Sequence, residues 1–317
     1  MRQARLTKNL SKRQFLLNGF LESGKTSLIK EIVENNDNYH NNSTVIICCE
    51  EGEVEYEEEW CEKYQIHVEY VESLEDFTVE FFDALDKKYT PDRFVIEYNA
   101  FFDWNSQEFP ERMVIYQQIT LIDASKFQVM FNNMKQIFQT MVRDSSLVIF
   151  NRIQDQSKNL GQFRRLIRAM TQQAQIAFEQ PDGRLSATLD EDLPYDLSKD
   201  EIAFEEDIYP TWYVEVFDNW EKYLNKTFKF KTFVRDVSKD TFVVGRQVMT
   251  CCANDIQFLG YEVINESKVK VQTGDVIYLE CVVCHEFSKL AGEEVVMLHA
   301  KAITKLPKEE EKVLNMN

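Results

Sequence analysis

The chain reads as a doubly wound, mostly parallel α/β domain followed by a smaller antiparallel β-rich domain, a barrel or a sandwich. Three observations predict this. Up to about residue 180, short continuous apolar runs alternate with amphipathic stretches, as strands buried on both faces alternate with crossover helices. Across residues 181–210 turn formers and acidic residues interrupt that pattern. Beyond them the hydrophobic period becomes two, the mark of strands with one face on a core. With 317 residues and 44% hydrophobic content, the chain can fill two such cores.

The elements follow in order. Residues 13–18 form an apolar strand that ends at Gly19. Leu28, Ile29, Ile32 and Val33 then share one helical face, and the polar run at 35–38 stops the helix. Residues 44–49 are a β-branched, apolar second strand. Residues 94–97, 118–123 and 146–151 make the third, fourth and fifth. Helices are expected over 77–85, around 127–141, and at 163–170, where Phe163, Leu166, Ile167 and Met170 recur at helical spacing. The predicted organisation is a first domain at 1–182, a linker at 183–210, a small β domain at 211–306 and a frayed tail at 307–317. In the small domain residues 227–234 alternate strictly, and 276–287 and 295–304 are strand-rich. Turns at 236–240 and 274–275 bring the total to about five strands.

Bulk properties exclude several classes. No run approaches the ~18–20 apolar residues of a membrane-spanning helix, and the basic opening at 1–6 leads into no apolar segment. A cytoplasmic protein with no direct membrane insertion is the expectation. A net charge of −18 argues against nucleic-acid binding, which requires Lys and Arg to displace counterions from phosphates. The seven cysteines are an odd number, read as reduced thiols rather than disulfides.

The strongest chemical signal is Gly19-Phe20-Leu21-Glu22-Ser23-Gly24-Lys25-Thr26, which satisfies G-x-x-x-x-G-K-[ST]. Glycines let backbone amides turn onto a phosphate chain, Lys25 supplies a point charge at the outer phosphates, and Thr26 offers a hydroxyl to Mg²⁺. Chance gives on the order of one match per hundred chains at average composition. This match also sits between a strand and a helix, where the mechanism requires it. Gly19, Glu22, Ser23, Gly24, Lys25, Thr26 and Ser27 are therefore the candidate phosphate-loop (P-loop) residues. Glu22 stands where glycine is common, so its carboxylate must point away, bind a cation or weaken the nucleotide.

Magnesium needs a second anchor at the end of a neighbouring strand. Glu97 fits, Glu50 is a weaker candidate, and Asp123 reads better as a helix cap. Lys25, Thr26 and Glu97 would support the transition state; no residue is assigned as general base, so slow hydrolysis is expected. For the base, Asn151-Arg152-Ile153-Gln154-Asp155 follows the fifth strand, where many guanine-binding proteins carry N-K-x-D. Asn151 fits, Arg152 could stack on the base, and the acid is displaced by one position to Asp155.

With these motifs in order the chain resembles the CobW-type family of P-loop GTPases, relatives of the urease and hydrogenase nickel-insertion GTPases. The family's G-F-L-G-S-G-K-T-T appears as GFLESGKTS at 19–27, and its N-E-F-G-E as Cys49-Glu50-Glu51-Gly52-Glu53. Its E-x-x-G appears as Glu97-Tyr98-Asn99-Ala100, and its Q-x-x-x-A-D aligns with residues 139–144. The resemblance covers about residues 13–180. It implies a GTP-binding protein, a GTPase handling a metal such as zinc or cobalt, and an oligomer formed with nucleotide. The family's C-x-C-C motif is missing. Cys48, Cys49 and Cys61 are the nearest candidates for Zn²⁺, and buried core thiols are the alternative reading. Residues 245–255 resemble small β domains of bacterial proteins encoded beside predicted permeases, which implies a membrane permease or a metal-dependent protein as partner.

Smaller signals have plainer readings. Cys281-Val282-Val283-Cys284-His285 matches the haem-attachment pattern, but a strand sends its two cysteines to opposite faces, and haem is rejected. Zinc held by Cys251, Cys252, Cys284, His285 and His299 is the alternative to buried strand thiols. Eight glutamates in residues 50–62 read as a solvated helix face, with a nucleotide-sensitive segment as the alternative. Against the GTPase reading stands a nucleotide-binding interaction protein with a degenerate loop, marked by Glu22, Ala100 and the displaced Asp155.

Overall fold

The computed structural model describes residues 12–102, 113–156, 158–187, 189, 193–249 and 256–316. Chain contacts divide the protein into two units, one of Met1–Phe163 with Met170–Leu189, the other of Arg164–Ala169 with Asp190–Asn317.

The first unit is built on β1 (Lys12–Asn18), α1 (Lys25–Asn35), α2 (Asp37–His40), β2 (Thr44–Cys48), α3 (Glu58–Tyr64), β3 (Ile66–Tyr70), α4 (Val79–Tyr89) and β4 (Arg93–Glu97). There follow β5 (Met113–Asp123), α5 (Ala124–Arg143), β6 (Leu147–Asn151), α6 (Leu160–Arg168, which belongs to the first unit up to Phe163), β7 (Gln175–Glu179) and β8 (Leu185–Ser186). The strands form one sheet in the order β3-β2-β4-β1-β5-β6-β7-β8, parallel except for β8. Alternation along β1 explains the two cores. Leu16 packs with Val45, Ile47, Phe82 and Phe94 on one face, and its neighbour Leu17 with Ile29, Val33, Ile46 and Ile119 on the other. The chain runs from β1 to β2 on one side and later to β5 on the other. The crevice beyond the carboxyl end of β1 is thus the topological switch point, where ligands of open α/β sheets bind.

Hydrophobic pattern alone does not reveal β3 and β7. Only Ile66 of β3 is fully buried, because β3 is an edge strand, and so the apolar run is broken by His67 and Glu69.

The second unit contains β9 (Glu201–Ala203), α7 (Tyr209–Asn219), β10 (Thr227–Arg235), β11 (Thr241–Met249), β12 (Ile256–Asn265), β13 (Val276–Ser288), β14 (Glu293–Lys305) and β15 (Leu314–Asn315). Five strands close a ring in the order β10-β11-β12-β14-β13-β10, all antiparallel except β12 beside β14. This is a barrel rather than a sandwich, with the strand order of an OB-fold. Its core is aromatic: Trp212 of α7 is fully buried, with ring centroids 4.8 Å from Phe230 and 5.5 Å from Phe228. Closure requires β11 and β12 to approach tightly. Gly245 pairs with Gly260, and a Cβ on Gly245 would lie 2.1 Å from the Leu259 carbonyl oxygen.

The tail corrects the expectation of fraying. Leu314 and Asn315 pair with Val248 and Met249, and Glu311 accepts from the Gln247 amide at 2.6 Å and from Arg235 at 3.1 Å. Buried Arg246 completes the attachment through the Lys312 carbonyl at 3.0 Å. A charged sequence hides these anchors, because its ordering comes from cations on β10 and β11.

Candidate nucleotide site

The parallel register brings the ends of five strands to one edge. Leu17 lies beside both Glu97 and Ile119, Cys48 beside Glu97, and Asp123 beside Asn151. Between β1 and α1 the chain makes its phosphate-loop turn. Gly24 adopts φ 99° as the N-cap of α1. At Gly19, φ is 148° and the backbone runs so close to β5 that a Cβ would meet the Leu121 carbonyl at 2.6 Å. Glu22 adopts φ 63° without being glycine. Its carboxylate is held aside by the Glu53 amide at 2.8 Å, and its carbonyl accepts from Arg152 at 2.8 Å. The carboxylate is thus turned onto the segment after β2.

Lys25 is buried. It donates to the Gly19 carbonyl at 2.8 Å and the Phe20 carbonyl at 3.1 Å, and forms an ion pair with Glu50. Burial pushes the Glu50 carboxyl above its ordinary pKa; Lys25 opposes that shift, and Glu97 and Glu22 add to it. Thr26 donates to Glu97 Oε1 at 2.7 Å, and the Tyr56 hydroxyl donates to Glu97 Oε2 at 2.6 Å. Sequence reasoning misses Tyr56, because the glutamates around it dominate the segment. That segment holds the loop and α1 at further points, with Lys30 paired to Glu57 and the Trp60 indole donating to Glu34 at 2.9 Å.

On the other side Asn151 donates to the Ser23 carbonyl at 2.7 Å. Asp123 caps α5 through the Ser125 amide at 3.0 Å and pairs with Arg152 at 2.6 Å. Burial raises the Asp123 carboxyl, but Ser125 and Arg152 outweigh it and hold it below its ordinary value. A cleft of about 910 Å³ opens beside Gly24, Ser27, Asn151 and Arg152, walled by Glu179 and Arg184. Asp155 is exposed, and its neighbour Gln154 lines this cleft instead. Among the described residues, Ser23 Oγ and Asn151 Oδ1 are buried without a hydrogen-bond partner. Each such atom costs about 1–3 kcal/mol unless something meets it.

The thiols are spread over both faces of the sheet. Cys49 packs in the core with Leu16 and Phe94, while Cys48 donates to the Glu50 carbonyl at 2.9 Å and Cys61 lies on α3. Burial, then the charge of Glu97, pushes the Cys48 thiol up to about 12, and burial raises Cys49 further. Both are therefore protonated thiols in the absence of a bound cation.

The family model described as "CobW/HypB/UreG, nucleotide-binding domain" matches residues 13–178, more than half of the chain. The chain belongs to this family. As a member it carries the family's loop with Glu22 in a position where glycine is common, and a second model, "DUF1980 C-terminal domain", matches residues 184–313. Among solved structures it is similar to the hydrogenase maturation factor HypB from Archaeoglobus fulgidus, with 12% identity, 56% of this chain and 85% of that one covered, and a TM-score of 0.39. A Zn(II)-bound triple mutant of the YjiA GTPase aligns at 17% identity over 73% of this chain and 84% of that one, with a TM-score of 0.40. FlhF complexed with GMPPNP and Mg²⁺ aligns at 15% identity over 48% and 64%, with a TM-score of 0.32. No curated protein matches. No helix among the described residues is long and apolar enough to cross a membrane.

Proposed function

We propose that the chain binds GTP with Mg²⁺ and hydrolyses it slowly, as a CobW-type switch that acts in the cytoplasm on a metal-dependent protein or a membrane permease. The observation that carries this reading is the juxtaposition of buried Lys25 with the Thr26–Glu97 pair at the switch point of the sheet. Thr26 and Glu97 offer hard oxygen donors of the kind Mg²⁺ takes. When bound, the ion would neutralise charge on the outer phosphates. Lys25 and the loop amides would hold the phosphates. The cleft beside Asn151 would take the base, whose ring edge could meet the unpartnered Asn151 Oδ1. Membership of a family that includes the nickel-insertion GTPases supports a link to metal handling.

Nucleotide entry would also displace contacts. Lys25 must exchange Glu50 for phosphate, and Glu97 must exchange Tyr56 for the cation. Residues 50–60 are then the segment that reports nucleotide state. One outcome follows directly. Without Mg²⁺, Glu50 acts on the phosphates only as a competing, repelling charge. Such a charge is worth up to about 4 kcal/mol at 4 Å and an effective dielectric of 20. Glu50→Gln is expected to tighten GTP binding about tenfold in EDTA, or about 1.4 kcal/mol, as measured by fluorescent-nucleotide titration. Equal or weaker binding in EDTA would show that Glu50 does not guard the loop.

A further inference from the structure

The barrel carries a group of donors that the nucleotide site does not use. On β13, Cys284 and Glu286 are two residues apart and so project from the same face. On β14, His299 stands opposite Val282, next but one from the residue facing Cys284, and therefore on that same face. The Cys284 thiol, a His299 ring nitrogen and a Glu286 carboxylate oxygen all lie within 4.8 Å of one another. Among the described residues this is the only such gathering of three. It is also built with a support behind it. His299 Nε2 faces Glu286 Oε1 at 2.8 Å, while its Nδ1 faces Glu266 Oε1 at 2.6 Å, and Glu266 is in turn held by Lys301 at 2.5 Å.

We infer that Cys284, Glu286 and His299 form a binding site for a borderline divalent cation of the Zn²⁺ class, with Glu266 orienting the imidazole. One sulfur, one nitrogen and one oxygen donor match the mixed ligand sets that zinc accepts, and hard cations such as Mg²⁺ do not take a thiolate. The size also fits. Donors at about 2.0–2.3 Å from a tetrahedral centre lie about 3.3–3.8 Å from each other. The present spacing brackets that range, with His299 Nε2 at 2.8 Å from Glu286 Oε1 and all three donors within 4.8 Å of one another. Metal-bound histidines almost always donate their second ring N–H to a carboxylate, a backbone carbonyl or a water, and here Glu266 is that acceptor. It fixes Nδ1 as the donor and leaves Nε2 to face the cation. Three protein ligands leave a fourth position open, which suits an ion that is received and passed on more than one that holds the fold together.

The same geometry sorts the cysteines and histidines that the sequence groups in this domain. His285 points to the opposite face and stacks on Trp220, with centroids 4.4 Å apart. Cys281 is fully buried in the barrel. Cys251 and Cys252 lie outside the described residues.

The test is a titration of the reduced full chain with Co²⁺, followed by displacement with Zn²⁺. Co²⁺ is expected to produce a thiolate charge-transfer band that Cys284→Ser removes and Zn²⁺ bleaches. His299→Gln and Glu286→Gln should each weaken binding at least tenfold, and Glu266→Gln, which touches no cation, by about 10- to 100-fold. Glu266, Glu286 and His299 are at or near the surface, so these variants keep the inference testable if Cys284→Ser fails to fold. Lys25→Ala and Cys61→Ser should leave the band unchanged, which separates this site from the nucleotide reading. Absence of a band, a band that survives Cys284→Ser, or affinities unmoved by the His299 and Glu266 variants would each overturn the assignment.

Discussion

Gly19→Ala is expected to destabilise the first unit by about 2–6 kcal/mol and to abolish nucleotide binding. Two costs combine. The backbone at Gly19 has φ 148°, outside the region L side chains prefer, and such strain costs of order 1–3 kcal/mol. The added methyl would also sit 2.6 Å from the Leu121 carbonyl and 2.7 Å from Ser23 Oγ. The first of these is backbone in the adjacent strand β5, so relief requires parting β1 from β5, at about 1–3 kcal/mol for overpacking. A domain of this size loses about 2–4 °C of Tm per kcal/mol. The Tm should therefore fall by roughly 4–24 °C. Gly183→Ala is the matched control, because its φ is 81° but no atom lies within 4 Å of the added carbon. It should shift Tm by only a few degrees, at about 1 kcal/mol. Equal effects at the two positions would mean that the close approach at Gly19 is unimportant.

Lys25→Ala should weaken GTP binding by roughly 30-fold to several thousand-fold, since truncating one partner of a buried charged hydrogen-bonded pair costs about 2–5 kcal/mol. It has a second consequence in the absence of nucleotide. Glu50 loses the cation that opposes its burial, so its carboxyl rises further above its ordinary pKa. The sign follows from linkage. A carboxyl raised in the folded state destabilises at pH values above its unfolded pKa, where the unfolded chain ionises freely and the folded one does not. Stability of Lys25→Ala should therefore fall as pH rises from about 4 towards neutrality, relative to the parent chain. Lys25→Ala/Glu50→Gln should recover that stability without recovering nucleotide binding. Recovery of both by the double variant would show that Lys25 serves the fold alone.

Much of this site is legible in the sequence because its chemistry is tied to local spacing. The loop from Gly19 to Thr26 is one contiguous motif, and Glu97 and Asn151 each close an apolar run, so position on the sheet edge follows from strand pattern alone. What stays hidden depends on contacts distant in sequence. Tyr56 reaches Glu97 across 41 positions, and the grip of the Glu53 amide on Glu22 depends on how the chain turns after β2. Glu22 is an awkward residue for its place, since glycine suits φ 63° better. Its resolution, a carboxylate turned onto a backbone amide, is a tertiary contact. In the barrel, period-two alternation marks β10, β13 and β14, whereas α7 carries apolar residues on nearly every side and gives no amphipathic stripe. The tail looks unstructured because charged residues normally are; here their partners lie on β10 and β11.

These contacts describe one arrangement in which residues 50–60 hold Lys25, Glu22 and Glu97 at once. If the site is a nucleotide switch, GTP with Mg²⁺ takes their place. Calorimetric titration of the full chain with GTP, then with ATP, each in Mg²⁺, tests this most directly. A single saturable site for GTP is expected, with weaker binding of ATP and loss of the GTP signal in Lys25→Ala. No binding of either nucleotide, or a GTP isotherm identical in the parent and Lys25→Ala, would contradict it.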